Sequence, residues 1–180
     1  ESTIKAATSD NIRYVGPASP TIFGNLINEI TWKGISLSFN ISYSMGYYFR
    51  KPTISYSNLF NTGIGHPDFE KRWKKPGDEL LTNVPAMVYT SDPDFYNRGQ
   101  LYYFSEINVL KAHNIRLQYI NLMYNLSNNF LRMPIERLQL YFNAANLGIL
   151  WRANKEGIDP DYPNDFAPTK TYTIGLRANF

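Results

Sequence analysis

Catalysis and metal binding need a few reactive side-chain types at suitable spacing, and this chain carries few of them. It has two histidines, His66 and His113, and no cysteine. Neither histidine has a His or Cys companion at ligand spacing, so a zinc centre lacks its donors. Both fall at loop or strand-start positions, which suits surface residues. Without cysteine there is no disulfide framework and no thiolate metal site. No glycine-rich phosphate loop ending in Lys-Ser/Thr occurs, and no Gly-x-Ser-x-Gly elbow. The residues therefore point away from an enzyme and from a bound cofactor. One acidic run is of interest. Asp159, Asp161 and Asp165, in GIDPDYPND, offer hard oxygen donors of the kind calcium takes, although that ion wants about 6–8 of them. The competing reading is turn chemistry, since Asp beside Pro favours turns. Asp92 and Asp94 form a weaker pair of the same type.

Two other side-chain groups invite a binding function. The run KRWKK, Lys71 to Lys75, holds four of the 18 basic residues. It is a single patch followed by Pro76 and Gly77, with no nucleic-acid-binding motif around it, so no nucleic-acid partner is expected. The aromatic residues Trp73, Tyr89, Phe95 and Tyr96 are candidates for contacts to an extracellular ligand or partner; packing within their own loop is the alternative. Tyr102, Tyr103 and Phe104 just precede a strand and read as an interfacial rim, as does Trp32 beside a turn.

Whatever positions these residues is β-structure of an unusual kind. The chain has 180 residues, of which 16% are aromatic and 18% charged, with a net charge of +3. Soluble domains average about 25% charged residues. In residues 35–49, Ile35, Leu37, Phe39, Ile41, Tyr43, Met45, Tyr47 and Phe49 share one parity. Ser36, Ser38, Asn40, Ser42, Ser44, Gly46 and Tyr48 share the other. Side chains alternate faces along a strand, so this run sorts an apolar face from a small polar one. Its length exceeds the roughly 9–11 residues a tilted transmembrane strand needs. A charge on the lipid side would cost about 2–4 kcal/mol near mid-bilayer, and this parity carries none.

The pattern recurs downstream. Leu138, Leu140 and Phe142 oppose Gln139, Tyr141 and Asn143, while Tyr172, Ile174, Leu176 and Ala178 oppose Thr173, Gly175 and Arg177. Ile35, Leu37, Phe39, Ile41, Tyr43, Leu138, Leu140, Phe142, Tyr172, Ile174 and Leu176 are thus the expected membrane-facing residues. Between 115 and 126 the parity switches, which one extra residue near Tyr119 would reconcile as a β-bulge. Residues 22–32 make a weaker strand, with Leu26, Ile30 and Trp32 on its apolar side. Mean hydropathy is only −0.36, as expected where lumen-facing polar residues alternate with apolar ones. No run of about 18 apolar residues occurs, so a spanning helix is excluded.

Strands are predicted near 22–32, 35–49, 111–126, 135–147 and 169–180, with a sixth at 11–15. Tight turns at Trp32-Lys33-Gly34 and at 127–134 alternate with long loops at 51–110 and 147–168. Short periplasmic turns and long extracellular loops alternate in this way in outer-membrane barrels. Five or six strands fall short of the roughly eight that close the smallest barrel, and an open edge in lipid leaves backbone groups unpaired. The expectation is an all-β chain: an antiparallel transmembrane β-barrel segment, completed by strands from elsewhere. The start, ESTIKAATSD, has no signal peptide, which fits a segment. A soluble β-sandwich shares period-two alternation and is the rival fold.

The ordered motifs also carry a resemblance. ITWKGISLSFNISYSMG (Ile30 to Gly46), RWKKPGD (Arg72 to Asp78), HNIRLQYINLMYNLS (His113 to Ser127), RLQLYFNAANLGIL (Arg137 to Leu150) and GIDPDYP (Gly157 to Pro163) resemble, in that order, the C-terminal part of SusC/RagA-type TonB-linked outer-membrane proteins of Bacteroidota. The resemblance implies the last five or six strands of a plug-filled barrel of about 22 strands, its plug domain not in this chain. It implies import of large nutrients, commonly glycan or peptide oligomers, with a SusD-like surface lipoprotein as lid. Energy would come from TonB through the absent N-terminal part, and the outer wall would meet outer-membrane lipid and lipopolysaccharide. A non-transporting scaffold subunit of an outer-membrane complex is the alternative role. Gly175, Ala178 and Phe180 in the closing GLRANF resemble the signal read by the barrel-assembly machinery.

Overall fold

The computed structural model describes residues 12–126 and 137–179. The chain divides into two compact units. One joins Tyr48–Leu110 to the segment ending at Gly16; the other joins Pro17–Tyr47 to the chain from Lys111 onward.

The second unit is a five-stranded sheet. Its strands are β1 (Ile22–Trp32), β2 (Ile35–Met45), β5 (Asn114–Leu126), β6 (Arg137–Arg152) and β7 (Thr171–Asn179), in the order β1-β2-β5-β6-β7. Every neighbouring pair is antiparallel. β3 (Tyr48–Arg50) and β4 (Val109–Lys111) form a separate two-stranded sheet. The β1–β2 hairpin closes through Lys33 and Gly34, with φ of 47° and 85°, the doubly positive combination whose twist suits a two-residue turn.

Register turns local alternation into continuous rows. Ile30, Leu37, Leu122, Phe142 and Ile174 lie side by side across all five strands, as do Trp32, Ile35, Tyr124, Leu140 and Leu176. One step along, Glu29, Ser38, Asn121, Asn143 and Thr173 form a polar row on the opposite face. β1 is the least pure strand, since Phe23 and Ile27 stand on its polar side. The parity switch in β5 is resolved at Gln118: Asn40 pairs with Tyr119 and Ile41 with Leu117, leaving Gln118 as the extra residue.

Within this unit, no described residue covers the apolar rows. Leu140 is 39% exposed and Leu176 68%. Among the described residues of this unit, the buried apolar side chains are Tyr47, Ala112 and Ala144, too few to make a core. A water-soluble sandwich would bury this face. No helix among the described residues is long and apolar enough to cross a membrane.

Two strand ends, one loop and one strand differ from expectation. The strand predicted over 35–49 stops at Met45, because Gly46 takes a φ of 75° and the chain turns there. The strand predicted to end at 147 instead runs to Arg152. Asn146 and Gly148, with positive φ, lie where β6 holds extra residues against β5; a bulge bends a strand without ending it. The long loop predicted over 51–110 is not irregular. It folds into helices α1 (Tyr56–Thr62) and α2 (Phe95–Phe104) with several 3-10 turns, around a core of Ile54, Tyr56, Val84, Phe95 and Tyr102. The sixth strand does not form over residues 12–15. The turn at 127–134, residue 11 and Phe180 lie outside the described residues.

Candidate functional site

The polar face of the sheet is a hydrogen-bonded surface built from side chains two residues apart. Gln118 donates to Ser42 Oγ at 2.7 Å, and Asn121 to Ser38 Oγ at 3.3 Å. Asn143 donates in turn to Asn121 Oδ1, and Gln139 to Asn125 Oδ1 at 3.0 Å. Thr31 and Ser36 hydroxyls lie 2.9 Å apart. Small hydroxyls on β2 opposite amides on β5 satisfy one another across the strands, leaving a hydrophilic wall with little net charge.

One charge cluster marks this wall. Arg116, near the start of β5, donates to Asp159 Oδ1 at 2.7 Å and Asp161 Oδ2 at 2.8 Å. Both carboxylates come from the segment between β6 and β7, so the guanidinium draws that segment onto the sheet. Asp161 also accepts from the Tyr47 hydroxyl at 3.1 Å, and Asn114 donates to the same hydroxyl at 2.9 Å. Tyr47 is buried in the break after β2; burial first, then the Asp161 charge and hydrogen bond, push its phenol well above the usual range. It therefore stays a neutral donor.

This geometry gives the acidic run a task other than calcium binding. Asp159 and Asp161 are occupied by a guanidinium, Asp161 Nα–H bonds Asp159 Oδ1 in a turn, and Asp165 is exposed beyond them. No group of three or more metal-binding side chains occurs among the described residues. Asp92 and Asp94 likewise serve a turn, Asp92 Oδ1 accepting the Asp94 amide at 2.8 Å. Arg116, Tyr47 and Asn114 were not singled out by sequence reasoning. The signal was faint: a lone Arg on the polar parity of a strand.

The predicted contact residues of the other unit separate into two kinds. Phe95, only 3% exposed, is core, and so is Tyr102, which is neither rim nor girdle. Burial raises Tyr102 to about 12 and also raises Tyr56, whose hydroxyl donates to Pro85 O at 2.7 Å. Half-buried Trp73 donates its indole N–H to Thr82 O while its backbone amide bonds Val84 O. Tyr89 and Tyr96 remain exposed, as do Tyr103 and Phe104. The RWKKPGD motif is a turn: Asp78 Oδ2 accepts the amides of Lys74 at 2.8 Å and Lys75 at 3.1 Å. Those backbone bonds, helped by the two lysine charges, hold the Asp78 carboxyl below its usual range.

His66 accepts the Asp68 amide through Nδ1 and caps the 3-10 turn Pro67–Lys71, a structural task. His113 precedes β5 and its carbonyl accepts from Ala153 N at 3.0 Å. In β7, Gly175 lies directly under the Tyr141 ring, where any Cβ would collide. This glycine thus has a packing reason of its own.

No protein-family model matches the chain, and no curated protein does. Solved structures do match. Three are the RagAB peptide importer in its open-open state (22% identity, TM-score 0.66), the RagAB peptide transporter (21%, 0.67) and the importer in its closed-closed state (22%, 0.66). Each likeness covers 97% of this chain and 19% of the other, so this chain spans about a fifth of the length of the chains it resembles. At such identity the likeness establishes the fold.

Proposed function

We propose that this chain forms part of the barrel wall and outer loops of a SusC/RagA-type, TonB-dependent outer-membrane transporter. The observation that carries the reading is the uncovered apolar face of the sheet, backed by a hydrogen-bonded polar face. A one-sided sheet of strands 9 to 16 residues long suits hydrocarbon on one side and a wet lumen on the other. The fold it shares with chains of the RagAB importer, RagA being SusC-like, supports the same reading.

In this assignment Ile35, Leu37, Phe39, Ile41, Tyr43, Leu138, Leu140, Phe142, Tyr172, Ile174 and Leu176 meet lipid and lipopolysaccharide. The unit holding Tyr48–Leu110 stands on the outer surface, where a SusD-like lipoprotein caps the barrel. Plug and TonB contact belong to the rest of the polypeptide, as do the remaining strands. The cargo is a large nutrient, a glycan or peptide oligomer. Arg116 and its carboxylates hold the β6–β7 segment against the lumen wall. Gly175, Ala178 and Phe180 serve barrel assembly.

Matched substitutions test the assignment in the complete protein. Phe39→Arg should cost about 2–4 kcal/mol of membrane stability and deplete the protein from outer-membrane fractions, while Ser38→Arg leaves it assembled. Equal tolerance at both positions refutes the lipid-facing assignment. Cells with the assembled protein should take up labelled oligomers that deletion strains do not. Assembly without any uptake difference would favour the scaffold role.

A further inference from the structure

Alternating parity protects a sheet against one kind of pairing error only. A slip of one residue between β6 and β7 would turn every apolar side chain of one strand to the polar face. A slip of two residues would not. Leu140, which stands opposite Leu176, would then face Ile174 or Ala178, and the apolar rows would stay apolar. Between β1 and β2 the tight turn at Lys33-Gly34 excludes such a slip. Between β6 and β7 the connection runs from residue 153 to 170 and imposes no register. Something else must choose among pairings two residues apart.

That choice falls on a glycine. Gly175 is the single glycine of β7 and pairs directly with Tyr141 of β6. A Cβ on it would stand 2.5 Å from Tyr141 Cζ and 2.8 Å from Cε1, with the hydroxyl nearer still. The ring therefore lies across β7 on bare backbone, on the polar face of the sheet. After a slip of two in either direction Tyr141 would meet Thr173 or Arg177 instead, and the ring would have to leave its seat. No hydrogen bond holds the Tyr141 hydroxyl among the described residues, so shape and not a polar tie seats the ring. The opposite edge repeats the device. Tyr43 of β2 lies over Gly24, the single glycine of β1, its hydroxyl 2.7 Å and its Cζ 2.9 Å from the position a Cβ would take. Both glycines thus sit on the outermost strands, each under a tyrosine of the strand inside it. The bond from Asn146 to the Thr169 carbonyl, 3.2 Å, lies beyond the paired stretch and is exposed, so water can replace it.

We infer that Tyr141 and Gly175 are the register key of the β6–β7 seam, the pair that selects one stagger from those the apolar pattern permits. Aromatic cover of a glycine on an edge strand pins register in β-sheets. In a barrel the stagger between strands is linked to their tilt and to the girth of the wall, so this contact helps to set the width of the lumen. That last consequence rests on the transporter reading; the key itself does not. The key also gives Gly175 a task apart from recognition by the assembly machinery.

Cysteine pairs read the register in the complete protein, in a background without other cysteines; this chain has none. Asn143 and Thr173 are opposite one another, whereas Asn143 would face Thr171 after a slip of two one way, and Gln139 would face Asn179 after a slip the other way. Oxidation should join Asn143→Cys to Thr173→Cys and leave both slipped pairs at background. Tyr141→Ala should raise a slipped crosslink about tenfold or more over background. Tyr141→Phe should not, because ring carbons as well as the hydroxyl cover the glycine. Gly175→Val should cut the amount of folded, protease-resistant protein about tenfold, and adding Tyr141→Ala should restore most of it. Two results overturn the inference. One is a Tyr141→Ala protein that crosslinks only in the original register. The other is a Gly175→Val defect that Tyr141→Ala leaves uncorrected, which would return the glycine to the assembly machinery. The crosslinks report stagger wherever the protein resides, so a key that behaves as stated in a protein absent from outer-membrane fractions would sink the transporter reading and leave this inference standing.

Discussion

Replacing Arg116 by methionine keeps most of the aliphatic stem and deletes the charge between Asp159 and Asp161. Those carboxylates are 43 and 45 residues away in sequence, which is why the acidic run looked like a metal site: no local pattern announces a distant guanidinium. Removing one partner of a buried ion pair costs about 3–5 kcal/mol. Asp161 is 40% exposed at its side chain, so water offsets part of that here. Arg116→Met should free the β6–β7 segment, read as faster cleavage between residues 153 and 170 by limited proteolysis. Asp159→Asn should loosen it more than Asp161→Asn, because Asp159 is the less exposed partner. Asp78 makes a pH-dependent case. Its folded-state carboxyl titrates below the ordinary value of 3.8, so the turn is fully supported above that pH and loses support as pH falls through the folded value. Asp78→Asn should lower hydrogen-exchange protection of the Lys74 and Lys75 amides at neutral pH. As pH falls below the folded value, wild type should approach the variant.

Strands were legible because side-chain parity is a local property: Ser and Ile alternating over β2 reveal its two faces with no knowledge of neighbours. Even the switch in β5 could be read, since a one-residue slip flips every later side chain. The structure puts the slip at Gln118, whose amide then reaches Ser42. Deleting Gln118 should therefore remove the bulge and leave Ile115, Leu117, Ile120 and Leu122 on one face in unbroken alternation, so the outer-membrane level of that variant should stay well above that of Phe39→Arg. A level as low as that of Phe39→Arg would show that β5 needs the bulge itself and not only its two faces. Ends of strands were less legible. Tyr47 and Phe49 continue the apolar parity of β2, yet the backbone has already turned at Gly46. Leu147-Gly148 looks like a turn, yet β5 carries β6 through it by pairing with Gly148, Ile149, Trp151 and Arg152, although pairing with β7 ends at Ala145. Helices in the Tyr48–Leu110 unit were missed altogether, because their aromatic residues are shared between a core and an exposed surface and show no single clean period.

At the scale of the whole chain, the sheet is incomplete. β1 and β7 have no outer partner strand among the described residues, and both are long, apolar on one face and exposed. Unpaired edges of this kind recruit other strands, and in hydrocarbon their backbone groups must be paired. The 180-residue chain on its own should therefore associate in water, appearing as oligomers in sedimentation, and should not stay monomeric without detergent. A stable, monodisperse soluble monomer would contradict the membrane assignment outright. Its antiparallel sheet was readable from parity; the ties between distant segments, such as Arg116 with Asp159 and Asp161, were not, because no local pattern marks them.

Gly46 also works as a draught mark on a hull. The 11 residues of β2, at about 3.4 Å each and tilted about 40°, rise about 29 Å, close to the roughly 25 Å apolar band of such barrels. Just past that glycine come the Tyr47 phenol and its tie to Asp161. If the sheet is the barrel wall proposed above, a strand kept straight through residue 49 would carry that polar knot into hydrocarbon, and one left-handed residue would set how deep the wall rides.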